Sequence, residues 1–261
     1  MSSQIRFDDG AAYERMMGTW SRIVGEQFID WVKPQPGLRW ADVGCGNGAS
    51  TELLMRRCAP AQVHGVDPSP EQLAYARDRP GAAGATFHSG DAMALPFPDD
   101  AFDAAVAALV LFFIPDPAKG LAEMVRVTKP GGLVCAYLWD IPGGGLPHAA
   151  IGQELRASGI APPLPPSAPI SAMEPLRQLF ADAGLSGIET TEITAQRRFD
   201  SFDDWFATSL LGSSLTIVAE QVGPEVMSAV KERVRAHFPG EPAGPVMRTA
   251  RANAIKASKP A

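Results

Sequence analysis

Leu38-Arg39-Trp40-Ala41-Asp42-Val43 runs straight into Gly44-Cys45-Gly46-Asn47-Gly48, and the reading of the fold turns on that junction. The first six residues are mostly apolar and include Trp and Val, so they predict a short strand. Pro34 and Pro36 stop any helix that precedes it. After the glycines, residues 49–58 have helical composition, and residues 63–66 form a second apolar run closed by Asp67. Strand, glycine loop, helix, strand is a βαβ unit with a right-handed crossover. The bare glycines let a ligand approach the backbone, and the start of the next helix offers unpaired N–H groups.

The alternation continues downstream. Ser69, Pro70 and Gln72 make a capping box with proline at the first helical position, which predicts a helix over 70–78. Residues 86–89 read as a weaker third strand. Residues 102–111 are almost wholly apolar, as in a central parallel strand covered on both faces. Helical spacing returns over 118–127, Lys129-Pro130-Gly131-Gly132 reads as a turn, and 133–139 is a fifth strand. Upstream, Met16, Met17, Trp20, Ile23, Val24, Phe28 and Trp31 recur at helical spacing over 13–31, with Gly18 as a break. The fold class is therefore α/β, with a doubly wound, mostly parallel sheet.

Past Trp139 the chain becomes rich in glycine and proline, so 141–170 reads as mostly loop around one short helix over 148–157. A helix over 174–183 closed by Gly184, a strand over 188–193, helices over 203–211 and 225–238, and a last strand over 246–257 follow. A helical insertion between the two final strands is the natural place for a lid. One domain with three regions results: a helical cap (1–34), a cofactor-binding core (35–141), and a substrate and lid region that completes the sheet (142–261).

Composition narrows the class of partner. The chain has 261 residues, 46% of them hydrophobic and 20% charged, which is ordinary for a folded domain. With 23 basic against 29 acidic residues the net charge is −6, so nucleic acid is an unfavourable partner. Cys45, Cys58 and Cys135 lie far apart without a CxxC pair, which suggests neither disulfides nor a metal site and fits a reducing cytosol. No run reaches the ~18 apolar residues of a membrane span, and no signal peptide is read at the start.

Two acidic features accompany the glycine loop. Asp67 ends the second strand, where a carboxylate can accept hydrogen bonds from both hydroxyls of a ribose. Gly90-Asp91-Ala92 follows the third strand, where a carboxylate and adjacent backbone can meet an adenine edge. The glycine spacing is Gly-x-Gly-x-Gly, not the Gly-x-Gly-x-x-Gly of dinucleotide enzymes, which weakens a pyrophosphate reading.

These segments, together with Gly65-Val66-Asp67-Pro68-Ser69-Pro70, Gly90-Asp91-Ala92-Met93-Ala94-Leu95-Pro96-Phe97, Phe102-Asp103 and Lys129-Pro130-Gly131-Gly132, resemble the class I S-adenosylmethionine-dependent methyltransferases. The likeness is densest over 35–140 and is greatest to the branch that contains quinone-biosynthesis and small-molecule methyltransferases. It implies a Rossmann-like sheet of seven strands, the last antiparallel, and S-adenosylmethionine as cofactor. It also implies cofactor contacts from Gly44, Cys45, Gly46, Asn47 and Gly48, with Asp42 behind the loop, Asp67 and Pro68 at the ribose, and Asp91, Ala92 and Met93 at the adenine. Ala41 stands where the family commonly has a bulky aliphatic residue, and Asn47 where threonine is frequent.

Methyl transfer of this kind is an in-line attack on a methyl group borne by a sulfonium, driven by alignment and exclusion of water. A hydroxyl or acidic carbon nucleophile also needs a base. Asp140 and His148 are the candidates by position, both flanking the loop after the fifth strand. His64 and His88 read as core or surface residues, and His237 as solvent-facing. Tyr13, Met17 and Trp20 on the first helix are candidates to cover the cofactor, with Arg22 toward its carboxylate. Phe112, Phe113, Trp139, Trp205 and Phe206 are candidates for an apolar substrate chamber around a small-molecule acceptor. Cys45 reads as a small apolar filler. The competing readings are an NAD(P)-dependent oxidoreductase and a non-catalytic module that binds the same cofactor.

Overall fold

The structure, a computed structural model, describes residues 14–211, 214–238 and 244–261. Among these, one sheet holds β1 (Arg39–Val43), β2 (Gln62–Asp67), β3 (Thr86–Ser89), β4 (Phe102–Ala108), β5 (Thr128–Trp139), β6 (Ser186–Phe199) and β7 (Val246–Ser258). Their order is β3-β2-β1-β4-β5-β7-β6. β1 to β5 are parallel, and β7 runs antiparallel to β5 and β6. β4 is central and built from small residues: Ala104, Ala105 and Ala107 are fully buried, so helices lie close on both faces.

The helices are α1 (Thr19–Val32), α2 (Ala49–Arg57), α3 (Pro70–Asp78), α4 (Pro117–Val127), α5 (Ala149–Ala157), α6 (Met173–Asp182), α7 (Phe202–Ser209) and α8 (Ser214–Ala236). Half of the capping box forms: Ser69 Oγ accepts from Gln72 N at 3.2 Å and Pro70 opens α3, whereas the Ser69 N–H donates to Asp67 Oδ1. α4 starts the same way, with Asp116 accepting from Lys119 N at 3.0 Å. α2 and α3 connect strands that step outward from β1 in one direction, and α4 connects β4 to β5 in the other. Right-handed crossovers therefore put α4 on the opposite face. The order reverses between β1 and β4, so the loops leaving their carboxyl ends diverge around a crevice.

Several elements differ from the expectation. The first helix begins as a π-helical turn, Glu14–Gly18, before α1. The fourth strand stops at Ala108, Leu109 takes a left-handed backbone at φ 61°, and Leu111–Phe113 is a 3-10 turn. An apolar run alone does not separate strand from buried turn. Residues 129–132 are drawn into β5 as a bulge, because Phe102 pairs with Thr128 whereas Ala104 pairs with Leu133. β6 is far longer than 188–193, since its polar end pairs with β7 as far as Phe199 opposite Val246. The helix expected over 225–238 is the second half of α8, which kinks at Gly223 and Pro224. The insertion between β6 and β7 holds α7 and α8, so it is helical as expected. No helix among the described residues is long and apolar enough to cross a membrane.

Candidate functional site

The crevice holds a cavity of about 560 Å³ whose lining is contributed by the loops after β1, β2, β3 and β4. Gly44, Gly46 and Gly48 all have positive φ, at 70°, 50° and 81°. They do different work. A Cβ at Gly44 would stand 2.4 Å from Val110, so this glycine lets the β1 and β4 loops touch. A Cβ at Gly46 would meet only Gln72 Oε1 at 3.9 Å, so beside this residue the cavity reaches bare backbone. Gly48 is the N-cap of α2 and packs on Ala76, outside the lining.

Asp42 lies behind the loop, fully buried, where its Oδ2 accepts from Ser50 Oγ and Thr51 Oγ1 at 2.6 Å each. It thereby ties the first turn of α2 to β1. Burial, only partly countered by the two hydroxyls, pushes its pKa up to about 6. Cys45 lines the cavity with a buried thiol whose pKa burial pushes up, which disfavours the thiolate. Asn47 also lines it, and its Oδ1 accepts from Ala49 N at 3.3 Å.

Asp67 faces the cavity from the end of β2. Its Oδ2 accepts from Gly46 N and its Oδ1 from Ser69 N, both at 2.9 Å. A carboxylate has about four acceptor sites, so each oxygen keeps one for a further donor. That is the arrangement a vicinal diol requires. Burial raises the Asp67 pKa, and the two N–H donors oppose this. Pro68, Asp91, Ala92 and Met93 complete the same side, with Asp91 Oδ1 accepting from Met93 N at 2.8 Å. A nucleoside with a polar tail fits these groups: paired acceptors for a ribose, an adjacent carboxylate with apolar neighbours for a base, and open backbone at Gly46.

The N-terminal segment contributes other residues than those expected. Tyr13 lies outside the described residues. Trp20 is buried against Phe199, ring centroids 6.2 Å apart, and Arg22 is exposed; neither lines the cavity. Gly18 and Ser21, one helical turn apart, face it instead. Sequence reading also missed Glu71, Gln72, Leu109, Val110 and Tyr137 in the lining. The available signal was position: Leu109 and Val110 follow β4 at the reversal of strand order.

The two candidate bases separate. Asp140 does not line the cavity: its carboxylate is held by Arg251 at 2.5 Å and by Gly143 N at 2.9 Å. It braces the loop after β5 onto β7. His148 lines a second, smaller chamber with Met16, Met17, Phe112, Phe113 and Trp139. Trp205 and Phe206 stand outside that chamber, packed with Phe202 and Phe238; Arg248 lies 4.5 Å from the Trp205 ring centroid. His64 and His88 form a stacked pair, Nδ1 to Nε2 3.0 Å, remote from both spaces. His237 is largely exposed and pairs with Glu154 at 2.7 Å. No cluster of three metal-ligating side chains occurs among the described residues.

A family model described as a methyltransferase domain matches residues 41–136. Over that stretch, a little over a third of its length, the chain is similar to methyltransferase domains. Relatives of this chain include the chloroplastic 2-methyl-6-phytyl-1,4-hydroquinone methyltransferase 2 of Oryza sativa, 43% identical over 98 residues. That alignment covers 38% of this chain and 28% of the relative. Another is the demethylmenaquinone methyltransferase of Desulfitobacterium hafniense, 39% identical over 116 residues, covering 42% of this chain and 45% of the relative. The chain thus spans less than half the length of each. In fold it is similar to phosphoethanolamine N-methyltransferase 2 of Haemonchus contortus, solved with S-adenosyl-L-methionine. There the TM-score is 0.60 at 19% identity, covering all of this chain and 59% of the other.

Proposed function

We propose that this protein transfers a methyl group from S-adenosylmethionine to a small, largely apolar acceptor. The observation that carries the proposal is the spare acceptor capacity of Asp67 beside the open backbone of Gly46, on one wall of the main cavity. Asp67 would hold the ribose, Asp91 to Met93 the adenine, and the Gly44–Gly48 loop the amino acid portion. When bound, the cofactor supplies a methyl group activated by positive sulfur. The chain's own part is to orient, to exclude water, and to receive the acceptor. Gly18 and Ser21 close the cavity from the N-terminal side; of the inserted helices, α7 packs on β6 and α8 on α5 and α7.

The three sequence regions take roles in this proposal: 1–34 caps, 35–141 binds the cofactor, and 142–261 shapes the acceptor side. Two quinol or quinone methyltransferases among the relatives support an acceptor with an apolar body. Charge of −6 supports a small molecule over nucleic acid, and three buried free thiols support a reducing compartment, the cytosol in our reading. Calorimetric titration with S-adenosylmethionine and S-adenosylhomocysteine tests the first step, and transfer of labelled methyl to a panel of phenols, quinones, amines and fatty acids tests the second. Folded protein that binds neither adenosyl compound would sink the proposal.

A further inference from the structure

The smaller chamber adjoins the cofactor cavity, since Leu109 and Phe113 line both. It has a volume of about 80 Å³, and apolar side chains make nearly all of its lining. Phe113 and Leu164 are 36% and 51% exposed, so the chamber is reached past an apolar rim. The only polar side chains in the described lining are Ser214 and His148, and no charged side chain is present there.

His148 is unusual in this setting. It is 9% exposed, and its Nδ1 is enclosed without a partner among the described residues. Native interiors rarely leave such a group unpaired. Nor is the ring loosely held. His148 is the N-cap of α5, its carbonyl accepts from Ile151 N and Gly152 N, and the preceding Pro147 carbonyl accepts from Trp205 Nε1 at 3.3 Å. A buried imidazole on a well-held backbone, with a ring nitrogen unpaired, is set to receive a ligand.

Resting on the methyl-transfer reading above, we propose that His148 receives the hydroxyl of an uncharged, otherwise apolar acceptor, a phenol or an enol, and takes its proton as the oxygen is methylated. Burial pushes the imidazole pKa down to about 4, so the ring is neutral at physiological pH and one nitrogen keeps its lone pair. The acceptor proton passes to that nitrogen while an oxygen lone pair forms the new O–C bond. The electron pair of the broken C–S bond stays on sulfur as a neutral thioether, and the imidazolium then returns its proton to solvent. Ammonium or phosphate groups on an acceptor would find no opposite charge among the described residues of the lining.

The test uses full-length protein saturated with S-adenosylhomocysteine and two isosteric probes, 4-fluorophenol and 4-fluorotoluene, followed by fluorine NMR titration. Wild type should bind the phenol about tenfold more tightly. His148→Ala should abolish that preference, and His148→Gln, which keeps an acceptor, should restore part of it. Nitrogen shifts of the His148 ring should also move with the phenol and not with the toluene. An undiminished preference in His148→Ala, or no binding of either probe while S-adenosylhomocysteine binds, overturns the role of His148 and leaves the methyl-transfer reading standing. Loss of S-adenosylhomocysteine affinity in both variants marks misfolding, and the ring shifts in wild type then decide. Absence of S-adenosylhomocysteine binding by wild type brings down the reading underneath.

Discussion

Asp42 and Asp67 stand near the carboxyl ends of neighbouring strands, yet their oxygens are used differently. Asp67 keeps acceptor capacity toward the cavity, so Asp67→Ala should weaken S-adenosylhomocysteine binding by about 1–3 kcal/mol. Calorimetry checks this, and unchanged affinity would remove the ribose assignment. Asp42 instead spends Oδ2 on two hydroxyls and leaves Oδ1 enclosed without a partner. Its folded-state pKa of about 6 lies above the unfolded value of 3.8, so between those pH values the native state holds the proton more tightly. Stability from this group is therefore greatest below pH ~4 and is lost as pH rises to ~6, by up to about 3 kcal/mol. Denaturant titrations of wild type and Asp42→Asn across that range isolate the effect. The wild type should lose stability relative to the variant on going from pH ~4 to ~7, and a flat difference would refute the burial argument.

Among the elements, the Glu14–Gly18 turn faces both spaces: Met16 and Met17 reach the smaller chamber and Gly18 the larger. Arg197 on β6 holds this turn by donating to the carbonyls of Arg15 and Met16 at 3.1 and 3.0 Å, with its guanidinium 4.5 Å from the centroid of Phe199. Removing it in Arg197→Ala should loosen the cap, and stopped-flow release of S-adenosylhomocysteine should quicken by about tenfold at nearly unchanged folding stability. Release at the wild-type rate would deny the turn a gating role. Elements like α3 were legible because a local signal, Ser69 with Pro70 and Gln72, specifies them. The end of β4 was not. Leu109 adopts its left-handed backbone with its N–H donating to the Tyr137 carbonyl at 2.8 Å, and nothing in an unbroken apolar run announces such a tertiary hydrogen bond. The outer half of β6 was likewise hidden, because its pairing partner lies beyond the whole α7–α8 insertion.

For the whole molecule, the same division between local and distant explains the site. The wall we assign to the cofactor was readable because Gly44 to Gly48, Asp67 and Asp91 each lie at or just past the end of a strand in consecutive βαβ units. The smaller chamber, our proposed acceptor side, gathers Met16, Phe112, Trp139, His148 and Leu164 from separate segments, so sequence named some of its members without showing which would meet. Trp20 points into the core for this reason: its periodicity was clear, but the face it presents is set by β6. One contiguous apolar core joins both sides, so a ligand of the main cavity should stabilise the entire fold. At a hundred times its dissociation constant, S-adenosylhomocysteine would add about 2.7 kcal/mol. At roughly 2–4 °C per kcal/mol for a chain of this size, Tm should rise by about 5–10 °C. Scanning calorimetry should show that rise in a single transition. NADH at equal concentration should leave Tm within about 1 °C, because the Gly-x-Gly-x-Gly loop lacks the third-glycine spacing of dinucleotide sites. A rise with NADH alone would favour the oxidoreductase. Two transitions, with only the first moved by the ligand, would show that the acceptor region folds apart from the cofactor core.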